Sequence, residues 1–320
     1  MRVVITGGAG FIGSHLVDRY LRDGHDVLAI DNLCTGSLKN LADASENPRL
    51  TFVRADACAP LQVRGDVDLV LHFASPASPV HYARLALETL AVNSTGTGHA
   101  CDLAERSGAR LVFASTSEVY GEPNVHPQPE SYWGNVNPAG ERACYDEAKR
   151  FGEALVSTRV RSGPLDARIV RIFNTYGPRL AENDGRAVPN FIVQALAGKP
   201  LTLYGDGNQT RSFTYIDDLI EGIVRLAAYD GDAARATIVN LGNPEEITMG
   251  ACAALVAAAA GVALRVEFRP LPSDDPSRRK PDITRARTLL GWEPLIPLRE
   301  GIVRTLAWWR DAHPRSDYST

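Results

Sequence analysis

Arg2-Val3-Val4-Ile5-Thr6-Gly7-Gly8-Ala9-Gly10-Phe11-Ile12-Gly13 is the stretch on which the fold turns. Its first five residues are mostly β-branched and read as a buried strand. Glycines 7, 10 and 13 follow at once, and an amphipathic helical pattern then runs to about Asp23. The glycines allow a tight turn, let backbone N–H groups reach a pyrophosphate, and let the helix pack close to the strand. Their spacing is Gly-x-x-Gly-x-x-Gly, not the Gly-x-Gly-x-x-Gly of the larger Rossmann dehydrogenases. A second strand, Asp26 to Ile30, ends in Asp31, where an acid about 20 residues on accepts a ribose 2′-hydroxyl. A carboxylate there repels a 2′-phosphate and no Arg follows it directly, so the expected cofactor is NAD and not NADP.

Working outward, strand signals recur at Leu50–Arg54, Leu69–Phe73, Arg110–Ala114, Ala167–Ile172 and Thr237–Leu241. Helical patterns lie near Ala83–Ser107, Tyr145–Val160 and Ile216–Ala228. Continuous apolar strands alternating with helices predict an α/β, doubly wound parallel sheet covered on both faces. After Asn174-Thr175-Tyr176-Gly177-Pro178-Arg179 the chain turns to Gly, Asn, Asp and Arg, and from Pro244 short elements alternate with Pro-rich loops. The expected organisation is a dinucleotide-binding domain over 1–176, rejoined by 213–241. A smaller, discontinuous lobe over 177–212 and 242–320 would cover the carboxyl ends of the strands, where open sheets bind ligands.

Composition narrows the function classes. The 320 residues are 44% hydrophobic, enough for a full core, and the net charge of −4 offers no electrostatic footprint for nucleic acid. The longest apolar stretch, around Ala251 to Leu264, is too short to span a bilayer and reads as a core helix. Cysteines 34, 58, 101, 144 and 252 are odd in number and lack metal spacing, so neither a disulfide framework nor a zinc site is expected. Strand one begins at residue 2, so no signal peptide is expected, and the compartment expected is the reduced cytoplasm.

Between Ala114 and Lys149 lie Ser115-Thr116-Ser117-Glu118-Val119-Tyr120-Gly121 and Tyr145-Asp146-Glu147-Ala148-Lys149. A Tyr four residues before a Lys shares its helix face, setting an ammonium beside a phenol. Use of that phenol as a base near pH 7 needs a pKa drop of roughly 3 units, about 4 kcal/mol. A neighbouring cation supplies part of it.

With these blocks in view, the chain resembles the extended short-chain dehydrogenase/reductase superfamily, and within it the UDP-glucuronate decarboxylases. The blocks that point to this branch are His72-Phe73-Ala74-Ser75-Pro76-Ala77-Ser78-Pro79, Ser115 to Gly121 and His126 to Pro138. Within them Thr116-Ser117-Glu118 and Tyr132-Trp133-Gly134-Asn135-Val136-Asn137-Pro138 are the narrower. Arg142 to Glu147, Asn183-Asp184-Gly185-Arg186 and Arg279-Lys280-Pro281-Asp282 add to them. The resemblance implies that Gly7, Gly10, Phe11, Ile12, Gly13 and Ala74 hold the cofactor. Asp31, Asn32, Thr35 and Gly36 would meet the adenosine ribose and Asp56 the adenine. Thr116, Ser117, Glu118, Tyr145 and Lys149 would be catalytic, around the sugar and the nicotinamide. Asn174, Arg186, Tyr204, Gln209, Arg211 and Arg279 would line the side of the sugar, diphosphate and uridine, with Arg211 nearest the phosphate or the acid group and Arg279 on the diphosphate. Ala139-Gly140-Glu141, Ala148 and Ala187-Val188-Pro189 depart from the family's usual Ile-Gly-Pro, Gly and Val-Val-Ser. The last is common in neighbouring epimerases.

The chemistry that the resemblance implies is oxidation at C4, loss of CO2 from the resulting β-keto acid, and return of the hydride. Family dehydratases carry Thr-Asp-Glu here, so Ser117 in this chain disfavours dehydration, and Glu118 counts against the simple 4-epimerases. A UDP-glucuronate 4-epimerase is the alternative, and a non-catalytic NAD-sensing protein a remote one. No metal is expected. His72 reads as packed near the cofactor, Cys144 as packed, His81, His99 and His313 as lacking metal partners, and Trp308-Trp309 as packing or interface. A homodimer is expected from the superfamily's paired helices, where Leu85, Leu87, Leu90, Leu103, Leu155 and Val156 exceed what one sheet face needs.

Overall fold

The structure is a computed structural model describing residues 1–232, 236–271 and 278–312. The elements in chain order are β1 (Arg2–Thr6), α1 (Phe11–Arg22), β2 (Asp26–Asp31), β3 (Leu50–Arg54), β4 (Leu69–His72), α2 (Pro79–Arg84), α3 (Ala86–Ala91), α4 (Thr97–Ser107), β5 (Arg110–Thr116), α5 (Ala143–Ser162) and β6 (Ala167–Ile172). They continue with β7 (Thr175–Tyr176), α6 (Ala187–Leu196), β8 (Leu201–Tyr204), β9 (Thr210–Ser212), β10 (Thr214–Tyr215), α7 (Ile216–Ala228), β11 (Thr237–Leu241), β12 (Glu246–Thr248), α8 (Met249–Ala260), β13 (Val266–Arg269), β14 (Arg278–Arg279), α9 (Thr284–Leu290) and α10 (Leu298–Ala312).

Seven strands form one sheet in the order β11-β6-β5-β4-β1-β2-β3, and every pairing in it is parallel. Strand alternation splits the core between its two faces. Val3 and Ile5 point into the cluster built with Leu16, Ile223 and Leu226, whereas Val4 points into the cluster with Leu103, Phe113 and Val156. The chain reverses direction across the sheet between β1 and β4, and ligands bind above such a switch point. Beyond the main sheet, β12, β9 and β14 form a three-stranded sheet, while β8 pairs with β13 and β7 with β10.

One expected element differs. In place of a single helix over Ala83–Ser107, the chain turns helical at Pro79, breaks at Leu85 (φ −119°, ψ 47°), and carries a π-helical turn over Val92–Gly96 before α4. A proline is well placed in a first helical turn, which explains the early start. The π turn lies among hydroxyls that bond back to the carbonyls four residues earlier: Thr89 to Leu85, Ser94 to Leu90 and Thr97 to Asn93. The Val92 carbonyl, which accepts from Thr97 N–H in this turn, also lies 3.4 Å from His72 Nε2. The apolar stretch near residue 251 is the core helix α8, and no helix among the described residues is long and apolar enough to cross a membrane.

Candidate active site

The glycine loop is built as a phosphate cradle. Gly7 sits at φ 73°, and a Cβ there would lie 2.8 Å from the backbone nitrogen of Ala74. A Cβ on Gly13 would strike the Gly7 carbonyl, so this turn admits only glycine. No side chain caps the N-terminus of α1 at Gly10, leaving the first-turn amides open to an anion. Asp31 fixes the loop from below, accepting from Ala9 N–H at 3.0 Å and Leu33 N–H at 2.8 Å. Burial pushes its carboxyl up against those bonds. Asn32 donates to Asp56 at 3.2 Å, joining the tips of β2 and β3. The residues present thus fit a dinucleotide: an uncapped helix end for the pyrophosphate and a buried acid where the ribose belongs.

A cleft of about 1080 Å³ runs from this loop over the strand ends. It is lined by Gly7, Gly10, Phe11, Ile12, Gly13, Asp31, Asn32, Thr35, Asp56 and Ala74 at one end, and by Asn174, Arg186, Tyr204, Gln209, Arg211 and Arg279 at the other. Thr116, Ser117, Glu118, Tyr145 and Lys149 lie on its wall. Gly36 is outside the lining and abuts Asp31 instead, where a Cβ would come within 3.0 Å of both carboxylate oxygens.

β5 runs two residues further than its apolar pattern suggests, carrying Ser115 and Thr116 to the cleft. Lys149 is 3% exposed and donates to the Ala114 carbonyl at 2.7 Å. Its Nζ lies 5.8 Å from the centre of the Tyr145 ring. Burial pulls Lys149 down to about 7, against the raising effect of Glu153. In the chain alone the Tyr145 phenol is pushed up, by burial first and then by Glu118, while Thr116 and Arg186 oppose. The surroundings in the chain alone therefore leave this group a neutral phenol. The Tyr82 ring stacks on Tyr145 at 5.0 Å with 8° between planes, covering one face of it.

Glu118 begins the next turn and is clamped on both sides. Arg142 donates to its Oε2 and Arg279 to its Oε1. Burial would push this carboxyl up, but the Arg279 and Arg142 guanidiniums outweigh it and hold it down at about 2. Asp146 shows the reverse, pushed up to about 8 by burial and by Glu118. Arg279 lines the cleft and donates from Nη1 to Glu118, and the parallel pairing of β14 with β9 sets it beside Arg211.

On the outer side, Arg186 grips Asp184 with two bonds, its Nε at 2.5 Å and Nη2 at 2.7 Å. Gln209 donates to the Tyr204 carbonyl at 2.7 Å, and Arg211 to that of Thr210 at 2.9 Å. His72 is buried beneath the cleft, hydrogen-bonded to Thr6 at 2.8 Å and held near 3 by burial, so it is a neutral packing residue. His81 meets the field of Asp184, His99 lies 3.3 Å from the Ala57 carbonyl, and His313 lies outside the described residues. Trp309 is buried in the core and Trp308 packs against it. Sequence reasoning gave no role to Arg142, Tyr82 or Asp146. The one signal for Arg142 is its place a helical turn before Tyr145, on the same face; its reach back to Glu118 is invisible in the spacing.

An open parallel sheet with a phosphate-cradling loop, a buried Tyr/Lys pair and an arginine-lined cleft defines a dinucleotide-dependent enzyme acting on an anionic substrate. The chain belongs to the NAD dependent epimerase/dehydratase family, whose model matches residues 3–242. It is 49% identical over 311 residues to UDP-glucuronic acid decarboxylase 1 of Arabidopsis thaliana, covering 97% of this chain and 70% of that protein. It is 47% identical to UDP-glucuronic acid decarboxylase 1 of Xenopus tropicalis, covering 97% and 72%. Among solved structures it superposes on UDP-glucuronic acid 4-epimerase of Bacillus cereus, in complex with UDP-glucuronic acid and NAD, with a TM-score of 0.87, 28% identity and coverage of 98% and 100%. A dTDP-glucose 4,6-dehydratase of Streptomyces venezuelae matches with a TM-score of 0.87 and 30% identity, covering 97% of each chain. NAD is the cofactor.

Proposed function

We infer that this chain is an NAD-dependent decarboxylase converting UDP-glucuronate to UDP-xylose. One observation carries the reading: identity to the Arabidopsis decarboxylase is 49% across 97% of the chain, against 28% to the Bacillus cereus 4-epimerase. The Thr116-Ser117-Glu118 block agrees with it, since it lacks the aspartic acid that a dehydratase uses.

Bound NAD supplies the hydride acceptor for the first half-reaction and the donor for the last. Tyr145, as phenolate, takes the C4 hydroxyl proton, and Lys149 stabilises its charge. The C4 ketone then stands β to the C6 carboxylate. The C5–C6 bond breaks, CO2 leaves, and the electron pair passes into an enolate whose oxygen Thr116 hydrogen-bonds. Protonation at C5 restores the C4 ketone; the hydride then returns to C4 and Tyr145 gives its proton back to the C4 oxygen, so UDP-xylose forms with no net redox change. Ser117 and Glu118 sit beside C6, while Arg186, Arg211 and Arg279 meet the anionic groups with Asn174, Tyr204 and Gln209.

Incubation with UDP-glucuronate and catalytic NAD tests this. The expected result is CO2 release and a product lighter by that mass. A product of unchanged mass, UDP-galacturonate, would replace the reading with that of a 4-epimerase, which shares cofactor, base and first step. We further propose a homodimer through α3 and α5, because Leu87 is 78%, Leu90 41% and Phe151 52% exposed on these helices. Leu103 and Val156, counted toward that interface from sequence, are buried against the sheet.

A further inference from the structure

Behind the Tyr/Lys pair lies a second buried ion pair that the chemistry above does not use. Lys149 and Glu153 stand four residues apart on one face of α5. Glu153 is 9% exposed, and its partner Arg171, on β6, is 8% exposed. The Arg171 guanidinium donates twice to the Glu153 carboxylate, from Nε at 2.8 Å and Nη2 at 2.7 Å. Ser115 donates its hydroxyl to the same carboxylate at 2.5 Å. Arg171 also donates to the Tyr120 hydroxyl at 2.9 Å, which in turn donates to Asn240 at 2.7 Å. Charge-assisted bonds in a dry interior leave this carboxylate one position.

Lys149 is anchored by the same strand end, on the carbonyl of Ala114, one residue before Ser115. Its Nζ lies 5.1 Å from the centre of the Phe113 ring. The other titratable groups around it come from several elements. His72, on β4, is buried and neutral, and Tyr145, on α5, is a phenol until it reacts. Glu118 pairs with Arg142 and Arg279, on α4 Asp102 and Glu105 pair with Arg159, and on α5 Asp146 is pushed up to about 8 by burial and by Glu118. On α3 Glu88 is exposed, as is Arg84 on α2, where His81 answers to Asp184 and Tyr82 stacks on Tyr145. Among the described residues, Glu153 is the anion that acts on Lys149, and it acts against burial. A buried ammonium with no counter-charge gives up its proton.

We propose that Glu153 is a positioning residue whose carboxylate, locked by Ser115 and Arg171, is the counter-charge that keeps Lys149 an ammonium beside Tyr145. The proposal rests on the reading of Tyr145 and Lys149 as base and charged partner. Ser115 thereby acquires a purpose of its own in the block next to Thr116: it ties the strand end that seats Lys149 to the anion that charges it.

The chain has four lysines, Lys39, Lys149, Lys199 and Lys280. Full-length protein labelled with 13Cε-lysine therefore gives few resonances to follow against pH, and Lys149→Met assigns the one in question. Glu153→Gln alone strands the Arg171 charge and can prevent folding, so the main variant is Glu153→Gln/Arg171→Met, which removes both charges. In it the Lys149 titration is expected to fall by about one pH unit or more. The high-pH limb of kcat should move down by the same amount, with KM for UDP-glucuronate changed less than about twofold. Glu153→Asp keeps the charge but withdraws it by one carbon–carbon bond, and should give a smaller fall. A Lys149 titration at its wild-type position in the folded double variant, or in Glu153→Asp if the double variant does not fold, overturns the proposal. The titration is read without turnover, so a wild-type protein that failed to decarboxylate UDP-glucuronate would count against the function and leave this test standing.

Discussion

Arg279 and Glu118 lie 161 residues apart in sequence and in direct contact in the fold. Glu118 follows β5 of the large parallel sheet, and Arg279 sits on β14 of the small three-stranded one. Their ion pair, completed by Arg142, ties the two sheets together across the cleft where the substrate's acid group is proposed to bind.

Glu118→Gln should be destabilising, because it leaves two buried guanidiniums with a neutral partner. Removing one member of a buried pair costs about 3–5 kcal/mol. The pH sign follows from linkage. Glu118 is held at about 2 against an ordinary 4.5, so its contribution is complete above 4.5 and is lost as pH falls through about 2. Denaturant unfolding between pH 6 and pH 2 should show wild type losing its advantage over Glu118→Gln on the way down. A gap of constant size would mean that the pair does not hold in solution.

Asp146 has the opposite sign. Its Oδ1 is buried without a hydrogen-bond partner, and its carboxyl is pushed up to about 8 from 3.8. An acid raised on folding favours the folded state only while protonated in both states, and that advantage drains away as pH rises from about 4 to 8. Asp146→Asn should therefore raise the Tm at pH 8, with the difference closing below pH 4. An equal or lower Tm at pH 8 would show that Asp146 is satisfied as a carboxylate.

Tyr145→Phe is expected to lower turnover by about 10²–10⁴-fold while leaving NAD and UDP binding close to wild type, since it removes a proton acceptor used only in the chemical steps. The ring remains, so the 5.0 Å stack with Tyr82 is kept. Near-normal turnover would show that the base is another group.

Light scattering at micromolar concentration should give about twice the chain mass of 34.6 kDa. Leu87→Glu with Phe151→Glu should return it to a monomer, because both side chains are exposed on α3 and α5 and neither is part of the sheet's core. A wild-type mass near that of one chain would refute the dimer.

Much of this protein was legible along its own chain, for a physical reason in each case. The strand–glycine–helix opening was readable because the turn at Gly7 and the contact at Gly13 exclude any Cβ, so composition reports geometry directly. Asp31 was readable because the length of a βαβ unit puts an acid at the second strand's end. Tyr145 and Lys149 were readable because four residues bring two side chains to one helix face. Local rules failed where partners come from elsewhere in the fold. The break at Leu85 and the π turn lie where side-chain hydroxyls bond back to the helix and where Val92 meets His72 of a neighbouring strand. The contact of Arg279 with Glu118 follows from the pairing of β14 with β9, which no local spacing reveals. The pKa values of Glu118, Asp146 and Lys149 are likewise products of tertiary structure, because burial and charges brought from distant segments set them. The sequence by itself determined which groups the chain owns and how neighbours four residues apart face each other. Only the folded sheet decided which charges meet, because the energy of a buried ion depends on distances that sequence spacing does not measure.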